Sequence, residues 1–326
     1  MQRRNFTRSL TVAAALTLST AIGAGTAAAQ SDDQEVTIMV SPLTFAFPHF
    51  VFMVEEMRDE AEAIGGVKII VQDGQLSSTK QAGDIEAAVV QGVDGIIVAP
   101  TDADALAGAV RTAISNGIPV VTVDRPVNGV PEVLANVAAD NFTGAKAQGE
   151  QVVADFPDGA TIVNLQGIPG DKTMIDRNAG AHEVLDVAGD SYVFVAEQPA
   201  DFSRDQGLSV TENILTGLSE TPDVIIAAND DMALGAAQAV AARGLTGEVA
   251  IYGFDGSSGA LQAVIDGSLR ATIDQFPGEQ GRTAVRVLVD HIRTGAMPES
   301  DNILLAPIAI TEENLDDAER IGMARE

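Results

Sequence analysis

The sequence contains no cysteine and no tryptophan. Disulfides, thiol nucleophiles and thiolate metal sites are therefore excluded. Histidine is scarce too: His49, His182 and His291 are scattered, and their spacing matches no metal-ligand motif. Lysine occurs only at positions 68, 80, 146 and 172, and no basic run exists to grip a polyanion. Against 19 basic residues stand 47 acidic ones, a formal net charge of −28. Such a surface repels nucleic acid and anionic lipid, so nucleic acid is excluded as a partner. After the first thirty residues, no stretch approaches the roughly 20 apolar residues of a spanning helix.

The start of the chain reads as an export leader. "MQRRNFTRSL" is positively charged, the run to Gln30 is apolar and small, and Ala27-Ala28-Ala29 forms a small-residue cleavage site. The run is too rich in Gly, Ser and Thr for a convincing transmembrane anchor. A signal peptide over 1–29, and a mature protein in the periplasm, are expected; Arg3-Arg4 followed by Phe6 leaves the export route open between the general and twin-arginine systems. Residues 1–29 hold three arginines and no acid, so the chain without them carries 16 basic and 47 acidic groups, a net charge of −31.

From there, apolar strand-like runs alternate with stretches of helical spacing. Strands are expected at 36–41, 67–73, 95–100 and 118–124, then at 160–167, 192–198, 224–229 and 249–255, with one more in 269–295 and a last one in 302–311. Continuous apolar strands alternating with helices indicate α/β architecture with doubly wound parallel sheets. Two sets of four strands suggest two similar lobes, with a break near 134–144.

Several of these strands end in polar residues. Ser41, Asp73, Asp124, Arg125, Gln166, Asn229, Asp255 and Gln275 all stand at or just beyond a strand's carboxyl end, where open parallel sheets bind ligands. Carboxylates accept hydrogen bonds, guanidinium donates and amides do both, so such a set suits a ligand rich in hydroxyls. A polar residue after a strand is also the ordinary N-cap of the following helix; Asp73 and Asp102 are read that way. Asp124-Arg125 is followed by Pro126 and Gly129 and reads as a loop.

Seven segments in order, "VDGIIVAPTDADA", "GIPVVTVDR", "ADNFTGAKAQGE", "QPADFSRDQGL", "AANDDMALGA", "YGFDGS" and "ATIDQFP", resemble the periplasmic sugar-binding proteins of ABC importers, in the ribose-binding group. The resemblance runs from about 36 to 310. It implies two doubly wound lobes joined by three crossovers with a ligand cleft between them: one lobe of 36–139 plus 276–306, the other of 140–275 plus 307–326. It further implies that Asp124, Arg125, Arg177, Asn229, Asp255 and Gln275 bond sugar hydroxyls, that Phe202 covers a ring face, and that Ser41 is the polar residue ending the first strand. In "SPLTFAFPHF" the chain departs from the family: Phe47 stands where Asn is expected and His49 replaces the first aromatic, with Phe50 following. Phe47, His49 and Phe50 are read as site residues, although Phe50 also fits the core face of the next helix.

The resemblance implies a monomeric binding protein, with no cofactor and no metal, that captures a small neutral monosaccharide or polyol, pentose-sized, and delivers it to the membrane permease of an ABC importer. A chemoreceptor is a further partner compatible with that role. A sugar-sensing regulator would need a DNA-reading segment and basic surface that this chain lacks. A glycosidase would need Asp124 or Asp255 as general acid, yet each has a cationic or amide neighbour that favours ionisation. No enzymatic activity is expected.

Overall fold

The computed structural model describes residues 35–325; the leader expected at 1–29 lies outside the described residues. Five strands, β1 (Val36–Ser41), β2 (Val67–Val71), β3 (Gly95–Val98), β4 (Val120–Val123) and β5 (Ala135–Ala139), alternate with α1 (Pro48–Ile64), α2 (Ser78–Gln91) and α3 (Ala107–Ser115). The strands pair in parallel in the order β2-β1-β3-β4-β5. The first helix of the next run, α4 (Asn141–Asp155), leads into β6 (Ala160–Gln166), β7 (Tyr192–Pro199), β8 (Val224–Ala227) and β9 (Ala250–Tyr252), interleaved with α5 (Lys172–Ala188), α6 (Arg204–Gly217) and α7 (Asp230–Ala242). These strands form a second parallel sheet, ordered β7-β6-β8-β9. Both sheets reverse direction beside their first strand, at β1/β3 and at β6/β8, the switch points of a doubly wound fold.

Burial explains the unbroken apolar strands. All four residues of β3, β4 and β8 are buried. Each sheet carries a hydrophobic cluster on both faces: one with Met53, Val121 and Leu288 and one with Ile85, Ile96 and Val110 in the first lobe, and counterparts with Leu165, Ile225 and Val240 and with Ile162, Leu185 and Tyr252 in the second. A parallel sheet covered by helices on both sides leaves its strands no polar face.

The remaining elements interleave the lobes. After α8 (Ser258–Ile265) and β10 (Thr272–Asp274) comes the long helix α9 (Pro277–Thr294), which packs on α1 and on β3, β4 and β5. Next come β11 (Asn302–Leu305), which extends the first sheet beside β5, and β12 (Ile308–Ile310), which pairs antiparallel with β10. The chain thus leaves the first sheet after β5, returns to it at β11, and leaves it again for β12, which with β10 forms a separate two-stranded sheet. The 134–144 segment, read as holding the break between lobes, also contains a further strand, β5, beyond which the chain leaves the first sheet. One expectation is corrected here. The single last strand read over 302–311 is two, split at Ala306-Pro307 and given to different sheets.

The C-terminal segment braces the crossing after β10. The Glu319 carboxylate accepts the backbone N–H groups of Gly278 and Glu279, both at 2.8 Å, at the N-terminus of α9. It also accepts from Arg282 at 2.6 Å, and Arg282 reaches on to Glu56 of α1. Asp274 accepts from Phe276 N–H at 2.9 Å and Glu319 N–H at 2.8 Å. Arg320, nearly sealed from solvent, donates to the carbonyl of Asp255.

Candidate functional site

In the first lobe the polar centre is Asp124. It stands at the end of β4 with φ +69°, a left-handed conformation that Asp tolerates better than most residues. Its Oδ2 accepts from Arg125 Nε at 3.1 Å, and its Oδ1 lies 3.4 Å from His49 Nε2. Burial would raise the carboxyl, but His49 and Arg125 beside it outweigh burial and hold it well below the usual carboxylate range. The His49 approach is long and poorly aligned, and both ring nitrogens of His49 are buried without a hydrogen-bond partner. Two buried, unpartnered nitrogens beside a carboxylate are unsatisfied in this arrangement, and a shift of the His49 ring would give them a partner.

The approach loop is anchored by Asp73, whose Oδ1 accepts from Phe45 and Gln75 N–H groups at 3.2 and 3.0 Å. It leaves Phe45 and Phe47 exposed, with Phe47 at the N-cap of α1. Phe50 is in the core of the first lobe, with His49 packed edge-on against it at 4.9 Å. Ser41 is fully buried, its hydroxyl accepting from Gln81 Nε2 at 3.2 Å. The expectation of direct contact is therefore corrected for both: Phe50 is spent on packing, where it sets the ring of His49, and Ser41 has no exposed atom to offer.

The second lobe centres on Arg177, on α5. Its Nη1 lies 3.4 Å from Asp255 Oδ1 and donates to Ala228 O at 2.6 Å; its Nε donates to Asn141 Oδ1 at 2.9 Å; and the guanidinium stacks 3.6 Å from the Phe254 ring centroid. Gln275 Nε2 donates to the same Asp255 Oδ1 at 2.8 Å. Burial pulls Arg177 below its ordinary value while Asp255 and Asp124 oppose it. Arg177 remains charged, because that ordinary value is above 12.

Phe202 lies over the carboxyl end of β6. Its ring is seated on Gly167, where any Cβ would fall 2.1 Å from the ring. Asp201 and Phe202 both have positive φ, +53° and +55°, a strain of about 1–2 kcal/mol per residue. Asn229 Nδ2 holds the turn by donating to Phe202 O at 3.3 Å, while its Oδ1 caps α7 through Met232 N–H at 3.0 Å. Asn229 is thus both the ordinary cap and part of the site's wall.

Arg177, Asp255 and Gln275 are directly joined; Asp124, Arg125 and His49 form a second group; Phe202 and Asn229 are joined to each other, and Phe47 is exposed at the start of α1. Sequence reasoning missed Asn141 and Phe254, which hold Arg177, and Asp230 behind Asp255. The clues were present in "DNFTG", "GFDG" and "NDD", but each residue there has a commoner local explanation as a cap, a core aromatic or a first-turn acid.

This is a two-lobed α/β fold of the type I periplasmic binding kind, with charged and amide side chains at the strand ends of both lobes. Residues 38–296 match the family described as a periplasmic binding protein domain, and the chain belongs to that family. It is 37% identical over 260 residues to the ribose import binding protein of Bacillus subtilis, covering 79% of this chain and 82% of that protein. It is 33% identical over 298 residues to a xylitol-binding protein of Mycolicibacterium smegmatis, covering 91% and 82%. The crystal structure of the Caulobacter myo-inositol binding protein bound to myo-inositol superposes with TM-score 0.80 at 43% identity, over 89% of this chain and 98% of that one.

Proposed function

We propose that this protein captures a small neutral polyol or monosaccharide between its lobes in the periplasm and hands it to the membrane permease of an ABC importer, acting as a monomer. The observation that carries this is the balance of the site. Asp124 with Arg125 and Arg177 with Asp255 place two carboxylates against two guanidinium groups. Their charges cancel, so a bound carboxylate or phosphate would be left without a counter-charge, at high cost once buried. Ionised donors and acceptors side by side suit hydroxyls, each of which donates and accepts.

Within that class the preference moves from the pentose expected at the outset to a six-carbon cyclic polyol of the inositol kind. The likeness to the myo-inositol binding protein, at 43% identity, supports it, being stronger than that to the ribose import protein; Phe47, in place of the expected amide, speaks only against ribose itself. Residues 36–139 with 276–306 would move as one lobe and 140–275 with 307–326 as the other, hinged where the chain crosses between the sheets; the membership of β11 and β12 in different sheets supports this division.

The test is a thermal-shift panel of inositols, pentoses, pentitols, tetritols, hexoses and sugar acids, since a ligand bound only by the folded state raises its melting temperature. An inositol is expected to give the largest shift. A sugar acid at the top would overturn the charge argument, and ribose binding below micromolar would overturn the reading of Phe47.

A further inference from the structure

Asp230 is the first residue of α7, 2% exposed, and contacts no open part of the cleft. One of its oxygens, Oδ2, accepts the backbone N–H of Ser257 at 2.7 Å. The other, Oδ1, is 2.6 Å from Thr272 Oγ1, which in turn accepts the backbone N–H of Gly256 at 3.1 Å. Both peptide groups belong to the turn that follows Asp255, itself held at φ +130°. Gly253 leaves the space for the carboxyl: a Cβ there would fall 2.2 Å from Oδ1.

We propose that Asp230 is a positioning residue, which fixes the 255–257 turn and so aims the Asp255 carboxylate, and that ligand capture is coupled through it to uptake of a proton. This rests on Asp255 being a ligand contact, as proposed above.

The groups facing Asp230 are Asp255 from the turn, Arg177 from α5 and Thr272 from β10; Asp231, next along the helix, is set against Asp255 and Arg204. Burial and then the Asp255 charge push the Asp230 carboxyl up to about 8, against the Thr272 and Ser257 hydrogen bonds. The helix N-terminus also favours the anion, but too weakly to offset burial beside a second carboxylate. In the ionised form the Thr272 hydroxyl donates to Asp230 Oδ1; in the neutral acid the carbonyl oxygen still accepts from Ser257 and the Thr272 bond reverses, the Asp230 O–H donating to Thr272 Oγ1. An asparagine reproduces that pattern, with its carbonyl toward Ser257 and its NH₂ toward Thr272. Asp255 keeps part of its side chain exposed; closure of the lobes removes the water that screens its charge, so that charge holds the Asp230 proton more strongly. By linkage, affinity then falls as pH rises through the ligand-free value.

The test compares wild type, Asp230→Ala and Asp230→Asn by calorimetry with myo-inositol at pH 6 and pH 9, in buffers of different ionisation enthalpy. Asp230→Ala should weaken binding at least tenfold at pH 6, and Asp230→Asn should restore most of that loss. Wild type should take up a fraction of a proton on binding near pH 8 and lose affinity toward pH 9, and the Asn variant should do neither. A ligand-free arm measures unfolding in denaturant. Between pH 6 and 9 the native wild type binds a proton that the unfolded chain does not, so it should lose roughly a hundredfold in folding constant relative to Asp230→Asn. If Asp230→Asn loses as much affinity as Asp230→Ala while remaining folded, or if proton uptake is the same in wild type and Asn, the inference is overturned. If myo-inositol binds neither wild type nor variant, the ligand reading fails instead; a wild-type-to-Asn stability gap that does not change with pH then overturns the inference on its own.

Discussion

Arg177 Nη1 and Asp255 Oδ1 stand 3.4 Å apart at the centre of the second lobe, and the same carboxylate oxygen is held by Gln275 at 2.8 Å. Three chain segments far apart in sequence thus converge on one oxygen. Each also fixes the others, since Arg177 is held in place by Asn141, Ala228 and the Phe254 ring.

Removing either partner should therefore be costly. Arg177→Ala and Asp255→Ala are each expected to weaken binding by about 2–4 kcal/mol, because a charged hydrogen-bonding partner disappears and buried groups are left unpaired. Calorimetric affinities within threefold of wild type would place the ligand elsewhere.

Gly167→Ala should act through Phe202. The added Cβ meets the ring at 2.1 Å, so the aromatic must leave its seat on β6. Affinity is expected to fall about tenfold, or about 1.4 kcal/mol, with far-ultraviolet circular dichroism unchanged. Unaltered binding would show that Phe202 does not cover the ligand.

Glu319→Gln tests the brace at the crossing. It removes a charged acceptor from the start of α9 and an ion pair with Arg282. A loss of about 1–2 kcal/mol in denaturant unfolding is expected. A change under 0.3 kcal/mol, roughly what a surface pair gives, would mean that the contact does not brace the fold.

His182 gives a pH signature. Its Nε2 faces Glu197 at 2.9 Å, its Nδ1 faces Asp186 at 3.2 Å, and the ring stacks on Phe194 at 4.2 Å. Burial lowers its pKa, but the two acids outweigh burial and raise it above 6.5. Its stabilisation is therefore full below the unfolded value and is lost as pH rises through the folded one. The melting-temperature advantage of wild type over His182→Gln should be largest near pH 5.5 and shrink by pH 8.5; an advantage that is flat with pH would show that the ring is not charged.

How much was legible follows from range. The strands β3, β4 and β8 could be read directly, because burial on both faces demands an unbroken apolar run. β5 was hidden, since "ANVAA" is small and weakly apolar, and its status depends on pairing with β4 on one side and β11 on the other. Asp124-Arg125 announced itself as a charged pair closing an apolar strand. Ser41 looked the same locally, and only the packing of Gln81 against it shows that it is sealed.

By itself the sequence determined the class of architecture and the chemical character of the strand ends, because both follow from short-range pattern: periodicity, burial and where the pattern stops. The tertiary structure decided which of those ends share a site. Arg177 meets Asp255, Asn141 reaches Arg177, and Asp230 supports the turn after Asp255 through contacts separated by 78, 36 and 27 residues. No local pattern encodes such contacts. They exist only once the sheets have formed and the chain has crossed between them, because burying these polar groups costs free energy unless each partner is brought alongside in the same fold.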